Sequence, residues 1–213
     1  MITHLLFDHD GVLVDTEHWY FEATRGALAR LNISMTFDDY KQHMVDGKSN
    51  WVDATRNGAT ENEVEAARAW RDERYQYYLQ REDIDIPGVP EVLDELSQGF
   101  QMAVITTSKR RDFELIHRDR TLLNNMAFAL CREDYDKPKP NAEPYETGLQ
   151  RFGVTPDKAI VIEDSERGLA AASAAGIRTI KVYNEFVAHQ QAESDYTIQS
   201  LRELPELLRG INN

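Results

Sequence analysis

Met1 to Phe7 carry an apolar run of the length of one buried strand, and four more short apolar runs follow at 102–105, 127–130, 159–162 and 179–182. Between and after the later runs, apolar residues recur at helical spacing over 89–97, 110–118, 143–152, 166–175 and 201–209. Strands that are apolar throughout, alternating with helices, predict a parallel sheet covered on both faces. The fold class is therefore α/β.

A different rhythm occupies residues 16–83. Trp19, Ala23, Ala27 and Leu31 recur at helical spacing, and no convincing strand appears. Thr60-Glu61-Asn62-Glu63 has capping-box form ahead of a long helix running towards Gln80. Trp70, Tyr75, Tyr77, Tyr78 and Leu79 give that helix an aromatic side, which reads as core packing rather than a cofactor site. Pro87-Gly88-Val89-Pro90 punctuates the return to the alternating pattern. The chain thus divides into a core of residues 1–15 and 84–213 and an all-helical insert at 16–83. No internal repeat or low-complexity tract interrupts either part.

Composition narrows the partners. The 213 residues suffice for one domain plus an insert. With 24 basic and 37 acidic residues, the net charge of −13 disfavours nucleic acid and anionic membranes. The single cysteine, Cys131, excludes an intrachain disulfide and fits a reducing compartment. No signal peptide and no apolar stretch of membrane-spanning length is evident, so a soluble cytoplasmic protein is expected. The oligomeric state is not encoded in any pattern of this kind.

Chemistry collects at the strand ends. Asp8-His9-Asp10-Gly11-Val12 follows the first strand, and Gly11 permits a sharp departure from its end. Open α/β sheets place ligands at such tips, where one carboxylate can act as nucleophile or metal ligand and the other can move protons. An acidic pair alone is more often a solvated turn. The second strand ends in Thr106-Thr107-Ser108, whose hydroxyls and following N–H groups suit an anionic oxygen, although Ser108 also fits an ordinary helix cap. Lys137-Pro138-Lys139-Pro140 precedes the helix at 143–152 and can fix an ammonium over a phosphate, against the usual solvated lysine. The strand at 159–162 runs into Glu163-Asp164-Ser165, hard oxygen ligands of the kind Mg²⁺ takes, with Asp164 or Ser165 as a plain cap in the alternative.

Four such pieces in this order resemble the haloacid dehalogenase-like hydrolase superfamily, in its branch with a helical cap after the first strand. Phosphoglycolate phosphatase-like and β-phosphoglucomutase-like members are the most similar. Asp8-His9-Asp10-Gly11-Val12 matches the first motif, and Leu13-Val14-Asp15-Thr16-Glu17 the sequence that follows it in this branch. Thr106 matches the second motif, and Glu163-Asp164 the fourth. The third fits Lys139 to Tyr145, with Ala142 in place of a proline, although Lys137 satisfies its first half. His9 departs from the apolar residue usual there; alternation along a strand predicts that its side chain turns away from the chemistry. Gly47-Lys48-Ser49-Asn50 is similar to the cap loop that approaches substrate, without the arginine common in mutases, and Arg110 stands where mutases tend to carry an amide.

The resemblance implies a Rossmann-like core with an inserted helical cap. It also implies a Mg²⁺-dependent phosphatase acting on a small phosphorylated metabolite through an aspartyl phosphate. Asp8 would be the nucleophile and Asp10 the general acid and base. Thr106, Thr107 and Lys139 would bind phosphate, and Asp8, Asp10, Glu163 and Asp164 would hold the metal. Gly47, Lys48, Ser49 and Asn50 would meet the substrate. A sugar phosphomutase is the alternative enzyme, and a carbon–halogen hydrolase or a catalytically silent binding module fits less well. Phosphate release against sugar-phosphate interconversion separates the first two.

Overall fold

The computed structural model describes residues 1–45, 48–187 and 192–213. They form two compact units, Met1–Asp15 with Asp85–Asn213, and Thr16–Ile84.

The first unit is built on a six-stranded parallel sheet. Its strands are β1 (His4–Phe7), β2 (Gln101–Ile105), β3 (Met126–Leu130), β4 (Ala159–Glu163), β5 (Arg178–Val182) and β6 (Tyr196–Ile198), in the spatial order β3-β2-β1-β4-β5-β6. The chain builds outward from β1 in one direction through β2 and β3, then returns to β1's other edge and continues through β4, β5 and β6. This reversal at β1 opens a crevice beyond the strands' C-terminal ends, where such sheets bind ligands. Register sets what meets there: Phe7 pairs with Val104 on one side and with Ile162 on the other. The next residues along are therefore Asp8, Ile105-Thr106 and Glu163-Asp164. β4 is buried along its whole length, as the apolar run Ala159–Ile162 requires, and its last residue, Glu163, is buried with it. Leu6, Ile105, Val161, Tyr145 and Leu149 share one core beneath the sheet's face, the last two from the helix α7 (Glu143–Phe152).

The short strand β6 was not apparent from periodicity, because three residues are too few to show one. A local clasp holds it instead. The Asp195 carboxylate accepts from the Thr179 backbone N–H at 2.8 Å and from its hydroxyl at 3.1 Å, and the Asp195 N–H donates to that hydroxyl. The helix expected at 89–97 is α5 (Val89–Leu96), and the one expected at 201–209 starts as a 3₁₀ turn, Leu201–Glu203, and becomes α-helical over α9 (Leu204–Asn212). Pro205 lies in the first turn of α9, where its missing N–H costs no hydrogen bond.

The second unit is helical throughout its described residues: α1 (Glu17–Ala29), α2 (Phe37–Val45), α3 (Val52–Arg56) and α4 (Glu61–Leu79). The expected capping box is present at the start of α4, Thr60 accepting from the Glu63 N–H while Glu63 reaches back to Thr60. Phe21, Leu28, Tyr40, Trp51 and Ala67 form this unit's own core, with Trp70 packed against it. The aromatic side of α4 is only partly core. Tyr75 and Leu79 are buried, but Tyr77 is 42% exposed and carries the guanidinium groups of Arg74 and Arg81 over its ring.

Asp195→Ala should test the clasp. It leaves the N–H of the buried Thr179 without its acceptor, which costs about 1–2 kcal/mol. Urea unfolding should show that loss with an unchanged dependence on denaturant, whereas a loosened edge would lower the slope as well.

Candidate active site

Asp8 continues β1 by one residue, its N–H donating to the Ile162 carbonyl at 2.8 Å. Its carboxylate meets Lys139, which enters from the loop ahead of α7. Lys139 is 3% exposed and has three protons to place, each of which finds an acceptor. They go to Asp8 Oδ1, to Glu163 Oε1 and to the Ile105 carbonyl, all at 2.8 Å. The Tyr145 ring lies 4.9 Å from the ammonium, adding a cation–π contact. Arg167, from α8 (Glu166–Ala174), donates to the Lys139 backbone carbonyl and fixes the loop from outside. Burial by itself would lower the Lys139 pKa, but Asp8 and Glu163 outweigh it and hold the ammonium charged well above the usual lysine value. Lys137 is exposed and its side chain is not among the partners of Asp8 or Glu163; its backbone N–H donates to Glu143, in the first turn of α7.

Glu163 is fully buried and both its oxygens are occupied. Oε1 accepts from Lys139 and from the Tyr145 hydroxyl, and Oε2 accepts from the Asp164 and Ser165 N–H groups and the Ser165 hydroxyl. Ser165 also caps α8 through Gly168, so the capping reading of this segment is right for Ser165. Gly168 makes room for the carboxylate: a Cβ there would stand 1.5 Å from Glu163 Oε1. Gly11, at φ +82°, plays the same part for the neighbouring acid, since its Cβ would fall 2.1 Å from Asp164 Oδ2. Asn184, beyond β5, donates to Asp164 Oδ2 at 2.7 Å and is itself oriented by the Phe186 N–H.

Oxygens of Asp8, Glu163 and Asp164 lie within 4.8 Å of one another. Burial, then the nearby Glu163 carboxylate, push Asp8 up to about 7, with Lys139 opposing. Counting Asp10, four carboxylates share this tip with one ammonium. Hard oxygen donors with surplus negative charge are what a divalent cation of the Mg²⁺ type requires, so the residues fit one.

Asp10 sits apart from the lysine. Its Oδ2 accepts from the Ser108 hydroxyl at 2.5 Å and from Thr106 Oγ1 at 3.4 Å. Thr106 is buried, and its own carbonyl accepts from the Tyr135 hydroxyl at 2.7 Å. Thr107 is exposed beside it. Ser108 is therefore not the helix cap; Lys109 precedes α6 (Arg110–His117). His9 is fully buried, and its Nδ1 lies 3.2 Å from Asp10 Oδ2. Strand alternation does not turn it away from the site because β1 ends at Phe7 and the chain folds back between Asp10 and Val14.

Asp8, Asp10, Thr106, Lys139, Glu163 and Asp164 are thus brought together at the sheet's C-terminal edge. Lys48, Ser49 and Asn50 lie in the helical unit, between α2 and α3, where Asn50 Oδ1 is 3.2 Å from His43 Nδ1 and Ser49 accepts from the Trp51 N–H. Gly47 lies outside the described residues. Sequence reasoning missed Ser108, Tyr135, Arg167 and Asn184. Only Ser108 carried a signal, as the third hydroxyl of a run.

Gly168→Ala should be harmful although alanine favours a helix interior. The methyl displaces a carboxylate held by five donors, and overpacking of this kind costs about 1–3 kcal/mol. Chemical unfolding should show a loss, where a helix-propensity effect alone would show a gain.

The chain is 31% identical over 198 residues to (DL)-glycerol-3-phosphatase 1, mitochondrial, of Arabidopsis thaliana, matching 85% of this chain and 64% of that protein. It is 30% identical over 184 residues to the phosphorylated carbohydrates phosphatase of Thermotoga maritima, matching 83% of this chain and 82% of that one. The crystal structure of CbbY from Rhodobacter sphaeroides in complex with phosphate is similar at 25% identity with a TM-score of 0.82, over 96% of both chains. The family model of the haloacid dehalogenase-like hydrolases matches residues 5–182, and the chain belongs to that family.

Proposed function

We propose that this enzyme is a Mg²⁺-dependent phosphatase that hydrolyses a small phosphorylated metabolite, of the sugar or polyol phosphate class, through an aspartyl phosphate. The observation that carries the reading is the split between two acids two residues apart: Asp8 is tied to a buried ammonium, while Asp10 is held by hydroxyls. The ammonium opposes the upward push of burial and Glu163 on Asp8 and so favours the charged nucleophile, and the hydroxyl setting of Asp10 suits a group that exchanges protons. Two similar proteins are named for phosphatase activity on glycerol phosphate and phosphorylated carbohydrates, which supports the substrate class.

In this reading Asp8 attacks phosphorus in line, forming an O–P bond as the bond to the leaving alcohol breaks. Asp10 gives that alcohol its proton, then takes one from the water that cleaves the aspartyl phosphate. Lys139, the Thr106 hydroxyl and the Thr107 N–H stabilise the charge on the transferring oxygens. Asp8, the Asp10 carbonyl and Asp164 would hold the metal; Glu163, expected as a further ligand, has both oxygens engaged by protein donors and would instead orient Lys139 behind them. The metal, when bound, neutralises charge between an anionic nucleophile and an anionic substrate. The helical unit would serve as the cap, with Lys48, Ser49 and Asn50 as substrate contacts. Among the described residues no helix is long and apolar enough to cross a membrane, and we place the enzyme in the cytoplasm on its one buried cysteine.

Asp8→Asn keeps the size of the side chain but removes the attacking charge. Phosphate release from a panel of sugar and polyol phosphates with Mg²⁺ should fall by several orders of magnitude. Wild-type enzyme quenched in acid after radiolabelled substrate should retain label that Asp8→Asn lacks. Retained turnover in Asp8→Asn would overturn the covalent mechanism, and interconversion of sugar phosphates without net release would mark a mutase.

The two lysines should separate cleanly. Lys139→Ala should cost at least about 100-fold in turnover, as removal of one oriented charge-stabilising group does. Lys137→Ala, exposed and outside the network, should stay within about twofold of wild type. Steady-state phosphate release decides between them.

A further inference from the structure

Beside Asp10 lies a pair of imidazoles that the hydrolysis scheme does not use. His9 is fully buried and His117, at the end of α6, is 9% exposed; their Nε2 atoms are 2.9 Å apart. The buried Phe113 packs against both rings, at centroid distances of 4.9 and 4.6 Å. The other nitrogen of His9 faces Asp10 Oδ2 at 3.2 Å, and the other nitrogen of His117 is buried without a hydrogen-bond partner among the described residues.

These contacts assign the protons in series. A proton on His117 Nδ1 would be a buried donor with no acceptor, a costly and rare arrangement, whereas a bare lone pair there costs less. His117 therefore carries its proton on Nε2 and donates to His9 Nε2. That leaves His9 with its proton on Nδ1, directed at Asp10. Burial, with His9 and Arg120 nearby, lowers His117 to about 3 and keeps its ring neutral, as the assignment requires.

We propose that His117 and His9 are positioning residues for Asp10, a buried two-imidazole strut that fixes the His9 tautomer and so aims its N–H at the Asp10 carboxylate. Together with Ser108 and Thr106, His9 holds Oδ2 and so fixes the plane of the Asp10 carboxylate. The inference rests on the reading of Asp10 as general acid and base. Its signature is selective. A leaving group that departs without a proton does not need an aimed Asp10, whereas an alkoxide does.

The tautomers are read first, on the wild-type protein, by NMR of isotope-labelled histidines. His9 should appear as the Nδ1–H form and His117 as the Nε2–H form; the opposite pair overturns the strut. Kinetics then compare kcat/KM for glycerol 3-phosphate, or the fastest sugar phosphate of the panel, with that for p-nitrophenyl phosphate. His117→Leu removes the donor and should lose about tenfold or more on the alkyl phosphate, the scale of one hydrogen bond to a charged group, with a change of under about twofold on the aryl phosphate. His117→Gln presents an amide N–H where Nε2–H stood and should recover most of the loss. Equal losses on both substrates, or none, would sink the proposal. Asp10→Asn is the reference: if it loses nothing on the alkyl phosphate, the reading of Asp10 itself fails. If it does and His117→Leu does not, only the strut fails.

Discussion

One buried ammonium organises the tip of the sheet. Lys139 joins the ends of three strands, through Asp8 after β1, the Ile105 carbonyl on β2 and Glu163 on β4. A lysine without these partners would shed its proton or leave the interior, and carboxylates without the lysine would take up protons. Removing one member of such a buried set generally costs about 3–5 kcal/mol, because the remaining charges stay desolvated. The same contacts that stabilise this edge of the fold therefore set the charge state of the groups on which chemistry depends. The Tyr145 ring under the ammonium, the Arg167 bond to the lysine's carbonyl and the space left by Gly168 all serve that one position.

Around this centre the division of labour between neighbouring acids follows from partners rather than from distance along the chain. Asp8 and Asp10 are two residues apart, yet one shares a dry pocket with a cation and the other is surrounded by hydroxyls and an imidazole. Glu163 and Asp164 are adjacent, yet Glu163 spends both oxygens on the protein's own donors while Asp164 is steered by Asn184 from the far side. The end of β4 falls between the members of the second pair.

Much of this was legible in the sequence because strand tips announce themselves. The apolar runs at 102–105 and 159–162 end one residue short of Thr106 and Glu163, and the charged or hydroxyl residue that follows an unbroken apolar run has nowhere to go but the sheet edge. Lys139 could be preferred over Lys137 only through the family motif; nothing in local periodicity distinguishes a buried lysine from an exposed one two residues away. Asn184, Tyr135 and Arg167 were invisible for a related reason. Each acts across a long sequence separation through a single hydrogen bond, and no pattern of spacing encodes that. His9 was misjudged because alternation holds only while the strand lasts, and β1 stops at Phe7. The strand β6 escaped notice because a carboxylate clasp, rather than a hydrophobic repeat, holds it in place.

The placement of β1 also bears on how the molecule is made. It leaves the ribosome before the other five described strands of its sheet and lies inside that sheet, but its neighbours are residues 101–105 and 159–163. During synthesis β1 must wait, apolar and unpaired, while the helices of the second unit emerge with partners close by in sequence. Such a delay exposes a sticky segment for longer than a hairpin would, and slow, non-local pairing is where aggregation competes with folding. The strand that leads into Asp8 and sets the register of β2 and β4 is thus the part of the nascent chain whose pairing is longest delayed.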